Sequence, residues 1–323
     1  MHLSIFNFSA MKSSHGLVFL MFGILQYFIG LEIAMRTVVP QISQVERRHN
    51  DDHQRALQVM QKAHDGFETV LVVGNSLLQQ GIDREELLKA TPPKYRIALF
   101  PVENTTYWDW YFGLRRLARE GAAPDVVVLC LNLRQILSNS TNGEGFAHSM
   151  MQVGDIVQVA RATRLDMTVA SNYFFANFSA WLGGRSFIRN WILEKWIPGA
   201  SALVQLFAAP GRAAQGKSSS TAIPYETLQR LKALQALCKT IGAKFVFLIP
   251  PTTNSTDLTS EVQLLAAQAD IPVIVPFKPG EMETSVFSDG FHLNAEGAKR
   301  FSERLGGAFE DALSARKQSS MRN

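Results

Sequence analysis

The sequence predicts a three-layer α/β fold on a parallel sheet, behind an apolar N-terminal helix and interrupted by a helical insertion. Three observations predict it. From residue 69 onward, short apolar runs alternate with helical stretches. The runs are apolar almost without a break, as expected of strands covered on both faces rather than on one. Near the N-terminus a single stretch, Gly16 to Met35, is long and apolar enough to cross a bilayer as a helix.

The N-terminal stretch has Gln26 and Glu32 as its strongly polar interruptions. Lys12 precedes it, so a cleaved signal peptide is the competing reading. No convincing small-x-small cleavage site follows, and residues 1–36 are therefore read as an uncleaved anchor, with residues 16–35 in the membrane. Residues 37–67 are polar and charged, with scattered apolar positions at Val45, Leu57 and Met60, and read as a stalk or linker helix. Residues 68–318 form the α/β domain, and residues 319–323 a tail.

Within the domain the expected strands are Thr69–Gly74, Tyr95–Phe100, Asp125–Leu131, Lys244–Ile249 and Pro272–Val275. The expected helices are Arg84–Ala90, Trp108–Glu120, Tyr225–Ile241, Ser260–Ala269 and Ala295–Leu313. Strands alternating with helices imply parallel pairing, with the ligand site at the carboxyl ends of the strands. Residues 138–222 interrupt the alternation. Ser171–Leu182 is aromatic and apolar, but Gly183-Gly184, Arg185 and Arg189 argue against a second membrane span. The insertion reads as helical. It covers the site or touches the membrane surface, or it forms a subdomain on the sheet edge. Arg212–Thr221 reads as a polar loop.

Composition narrows the function classes. The chain has 323 residues, 46% of them hydrophobic, enough for a sizeable core, and a net charge of +4. Its positive charges are scattered rather than gathered into a stripe with aromatics, so nucleic acid is excluded as an expected partner. The two cysteines, Cys130 and Cys238, form no metal or redox motif and read as free core thiols, with a disulfide as the lesser reading. Nothing in the sequence calls for a cofactor or a metal.

Two segments far apart carry the chemistry. Thr69–Ser76 is an apolar run ending in a small-residue turn with a serine. Ser76 taken alone is equally a turn residue or helix cap, although Gly74 allows a tight turn and Asp83 is the better cap for the following helix. Asp289 and His292 stand three apart before the last helix. They too have a plain reading, as a turn residue and a surface histidine before Asn294 as N-cap. On one loop, however, the Asp289 carboxylate can reach one imidazole nitrogen and leave the other for Ser76. The loop after the last strand opens on the same sheet edge as Ser76, so the pair reads as a Ser-His-Asp hydrolase or acyltransferase site.

Gly74-Asn75-Ser76 after a strand, with Asp289-x-x-His292 continuing as Leu293-Asn294-Ala295-Glu296-Gly297, resembles the SGNH, or GDSL-type, hydrolase superfamily. The resemblance covers roughly residues 69–137 and 223–313. It implies a flavodoxin-like three-layer sheet, with Ser76 as nucleophile, His292 as base and Asp289 as its orienting acid. It also implies an oxyanion hole made by the Ser76 amide, by Asn132 after the third strand, and by Asn104 or the backbone around it after the second. Two glycines usual in the superfamily, after the second strand and before the asparagine of the third, are missing here.

An anchor ahead of such a domain is similar to membrane-anchored exopolysaccharide O-acetyltransferases and to teichoic acid D-alanyl transfer proteins. That likeness implies an extracytoplasmic domain acting on an acyl ester or an acylated surface glycan, alongside a membrane acyltransferase partner. Arg36, Arg47 and Arg48 after the span point the other way under the positive-inside rule. The second expectation, favoured by the missing glycines, is an inactive, membrane-tethered binding or assembly protein of a surface-polysaccharide system.

Overall fold

The computed structural model describes residues 13–61, 66–197, 223–254 and 258–320. Five strands form one parallel sheet: β1 (Glu68–Gly74), β2 (Tyr95–Pro101), β3 (Val126–Cys130), β4 (Lys244–Leu248) and β5 (Val273–Ile274). Their order is β2-β1-β3-β4-β5, the flavodoxin-like order expected. β1 is flanked by β2 and β3, with Gly74 in register with Pro101 on one side and Cys130 on the other. The chain segments leaving these three strands therefore emerge side by side.

Successive strand residues feed opposite faces, and each face has its own core. Val70, Val72, Val126, Val128, Val246 and Leu248 pack with Leu78, Leu87, Phe301, Leu305 and Phe309. These helical partners come from α3 (Ser76–Gly81), α4 (Arg84–Ala90) and the C-terminal helix, α13 (Ala295–Ser320). Leu71, Val73, Phe100, Val127, Leu129 and Phe247 point the other way, onto Trp110, Leu114, Leu117, Leu231, Leu234 and Val262. That layer contains α5 (Tyr107–Arg119), α6 (Leu133–Leu137), α11 (Ile223–Thr240) and α12 (Thr259–Gln268). Cys130 and Cys238 are buried and free, and burial pushes the Cys238 thiol up to about 12.

The insertion begins as α7 (Glu144–Met150), α8 (Val153–Thr163), α9 (Met167–Ala176) and α10 (Ala180–Trp196). The glycine pair expected to interrupt it lies inside α10, which runs through both residues. The polar loop expected at Arg212–Thr221 lies outside the described residues.

At the N-terminus, α1 (Ser13–Ile42) is long and apolar enough to cross a membrane. It is followed by α2 (Gln44–Gln61), which occupies most of the segment read as a stalk. α2 does not stand clear of the domain. Ala56 and Met60 are buried in the core beside β2, and Arg48 and His49 reach the turn that follows that strand.

Candidate active site

Ser76 opens α3, directly after β1. The sequence left open that this serine serves only as a helix cap. Asn75 takes that role instead: its Oδ1 accepts a hydrogen bond from Leu77 N at 3.0 Å. Asp83 caps the next helix, α4, by accepting from Glu85 N and Glu86 N. The Ser76 hydroxyl is thereby released from local backbone duty. Gly74 matters here for close approach rather than for turn freedom. A Cβ at this position would lie 2.6 Å from the Cys130 carbonyl oxygen, so any side chain would push β1 and β3 apart where the site begins.

Asp289 and His292 lie on the loop between the 3-10 turn Thr284–Val286 and α13. The loop is closed by its own backbone: Ser288 N donates to His292 O at 2.8 Å, and Phe287 bridges Leu293. Asn294 caps α13 by accepting from Gly297 N. One Asp289 oxygen accepts from Phe291 N at 2.9 Å and His292 N at 2.7 Å; the other meets His292 Nδ1 at 2.7 Å. These bonds, led by the His292 amide and ring, hold the Asp289 carboxyl well below the usual carboxylate range. His292 Nε2 then lies 2.9 Å from Ser76 Oγ. The three residues singled out in the sequence come together as a continuous Ser76–His292–Asp289 chain.

Asn104 and Asn132 follow β2 and β3, the two neighbours of β1. Asn132 caps α6: its Oδ1 accepts from Gln135 N at 2.9 Å, while Gln135 Oε1 accepts from Asn132 N at 3.0 Å. This arrangement commits the Asn132 carbonyl and makes no use of its amide NH2. Asn104 is exposed and adopts a left-handed backbone, with φ of 59°. Asparagine tolerates that conformation better than most residues, so it can stand where the missing glycine was noted.

The turn carrying Asn104 is braced by residues to which the sequence assigned no such role. Asn75 Nδ2 donates to Thr105 O at 3.1 Å, and Trp110 Nε1 donates to Thr105 Oγ1 at 2.9 Å. Asn142 Nδ2 donates to Glu103 O at 2.8 Å. The fully buried Asp109 accepts from Thr106 N at 2.8 Å and Asn142 N at 2.9 Å, and burial pushes it up to about 7 despite these bonds. Glu103 accepts from Arg48 Nη2 at 2.5 Å and meets His49 Nε2 at 2.8 Å. Burial alone would raise the Glu103 carboxyl, but the bonds from His49 and Arg48 outweigh it and leave the group at about 2. The only sequence signal for this bracing was the run of polar residues after β2, whose partners outside α5 lie 30 to 55 positions away.

Fold and site together define an α/β protein with a serine, histidine and aspartate aligned at the carboxyl edge of its sheet. Solved structures similar to the chain include a GDSL-like lipase from Bacteroides thetaiotaomicron, at 12% identity and TM-score 0.41, covering 83% of this chain and 98% of the lipase. A catalytic mutant of an acetylxylan esterase from Geobacillus stearothermophilus is similar at 11% identity and TM-score 0.38, covering 78% of this chain and 96% of the esterase. An alpha/beta hydrolase enzyme from the metagenome of Lake Arreo, Spain, is similar at 12% identity and TM-score 0.39, covering 79% and 98%. No family model matches the chain. No curated protein matches it.

Proposed function

We propose that the protein is a serine-dependent esterase or O-acyltransferase, anchored by α1 and acting outside the cytoplasm on an acylated surface glycan or a similar ester. The observation that carries the chemistry is the alignment of Ser76 Oγ, His292 and Asp289 at 2.9 and 2.7 Å. Ser76 Oγ attacks the acyl carbonyl carbon while its proton passes to His292 Nε2. Asp289, held ionised by its amide bonds, fixes the ring tautomer and stabilises the imidazolium. The carbonyl oxygen becomes an oxyanion. The Ser76 N–H receives it, together with the Asn132 amide and the turn around Asn104. Collapse of the intermediate expels the alcohol, which takes the proton from His292 and leaves an acyl-Ser76. Water then enters for hydrolysis, or a sugar hydroxyl for transfer. In either case His292 takes the proton of the incoming group and returns it to Ser76. In the transfer case the acyl donor arrives from a membrane acyltransferase partner.

A fluorophosphonate probe tests the nucleophile directly. Labelling of the full chain, absent in Ser76→Ala, is the expected result. An unlabelled wild type would favour the non-catalytic binding role.

A further inference from the structure

The C-terminal part of α1 packs against the first turns of α10. Glu32 on α1 accepts hydrogen bonds from Ser179 Oγ at 2.9 Å, Ala180 N at 2.9 Å and Trp181 N at 3.2 Å, all at the start of α10. One turn further along, Met35 is buried against Gly184, where a Cβ would lie 2.5 Å from the Met35 methyl carbon. Advancing three residues on α1 thus advances three to five on α10. Before Glu32, α1 has no such covering: Leu17, Phe19, Phe22, Leu25 and Phe28 are each more than half exposed. The start of α10 is therefore level with the end of the bare apolar stretch. The end of α9 immediately precedes that start in the chain.

Three phenylalanines stand there in the open. Phe174 packs edge-on against Phe175 and Phe178, with ring centroids 5.4 and 5.3 Å apart. The three are 41%, 54% and 60% exposed, while Tyr173 and Ala176 on the inner side of α9 are buried. A contiguous aromatic patch of this kind marks an interaction surface, and Phe178 immediately precedes Ser179, whose hydroxyl bonds Glu32 where the bare face of α1 ends. The length of that face bears on the same point. Gly16 to Met35 spans ~30 Å at 1.5 Å per residue, the thickness of the hydrocarbon core. Glu32 then lies ~5 Å inside one boundary, where Arg36 and the three donors from α10 keep its carboxylate satisfied.

We propose that Phe174, Phe175 and Phe178 insert into the boundary between lipid headgroups and acyl chains beside the anchor. The domain is then held to the bilayer at two points, α1 and the end of α9. The proposal rests on reading α1 as a membrane span, and the test separates the two.

The full chain is reconstituted in phosphatidylcholine vesicles, with single introduced cysteines carrying an environment-sensitive nitrobenzoxadiazole label. Native Cys130 and Cys238 are buried, so the label goes to the introduced site. Phe175→Cys is compared with Leu25→Cys in the span and Leu264→Cys, an exposed position on α12. Doxyl-labelled lipids serve as quencher. The expected result is a blue-shifted, quenched label at position 175, with at least half the quenching seen at position 25, and an unquenched label at 264. Quenching at 25 with a water-like, unquenched label at 175 would overturn the docking proposal and leave the anchor standing. A label unquenched at 25 would remove the anchor and the docking proposal together.

Discussion

The two arms of the candidate site are built in opposite ways. The proposed acid–base arm is local: Asp289 receives amide bonds from residues two and three positions on, and the same loop presents His292 to Ser76. The proposed oxyanion arm is assembled from afar. The turn after β2 is held by Asn75 on β1's exit, by Asn142 at the start of the insertion, and by Arg48 and His49 on α2. A local motif can be complete while a remotely braced one is still loose. Variants in the first arm should therefore remove a chemical role outright, and variants in the second should degrade a geometry.

The largest effect is expected in the local arm. His292→Ala should lower turnover of a small acetyl ester by about a thousandfold or more, the loss usual for a triad member, with the thermal melt unchanged. Asp289→Asn should also be severe, because the amide can hold the ring in the wrong tautomer. Wild-type turnover in either variant would mean that the aligned side chains are not the catalytic machinery.

This division also decides what the sequence could disclose. The strands were legible as unbroken apolar runs, because both faces of the sheet are covered. The Asp289–His292 pair was legible because its geometry is set by a three-residue spacing. Its meeting with Ser76 followed from parallel topology, which puts every strand's exit on one edge. α3 was not legible, since six residues carry too little periodicity to stand out. The packing of α2 was hidden by its charge. Arg48 and His49 look like solvent-facing stalk residues until Glu103 is seen between them. The glycine pair in α10 reads as a breaker by propensity, yet Gly184 lies against Met35 of α1 with no room for a side chain.

The next effect separates two kinds of oxyanion donor. Asn132→Ala removes a side-chain amide and should cost about a hundredfold in kcat. Asn104→Gly keeps the left-handed backbone and removes only the side chain, whereas Asn104→Ala adds about 1–2 kcal/mol of strain at φ of 59°. If the turn donates through its backbone, the glycine variant keeps near-wild-type kcat and the alanine variant loses several-fold. Equal losses in both would assign the role to the Asn104 side chain.

The smallest effect is expected from Glu103, which acts only through the turn that carries Asn104. In Glu103→Gln the backbone carbonyl still accepts from Asn142, so the turn loosens without collapsing. We expect a threefold to tenfold fall in kcat with little change in KM. A purely structural role would lower the melting temperature and leave kcat per folded molecule untouched. The pH dependence supplies a second reading. The folded Glu103 carboxyl sits at about 2, against 4.5 in the unfolded chain. The unfolded state therefore binds more protons between these values, and stability rises with pH across that window. The contribution is complete above about 4.5 and is lost as pH falls through about 2, with a ceiling on the order of 3 kcal/mol before solvent screening. The wild type should accordingly melt higher than Glu103→Gln at neutral pH, and the two curves should converge as pH falls below 4.5. A melting difference independent of pH would detach α2 from the oxyanion turn. The remote bracing of that arm would then rest on Asn75, on Asn142 and on the Thr106 bond to the Ser140 carbonyl.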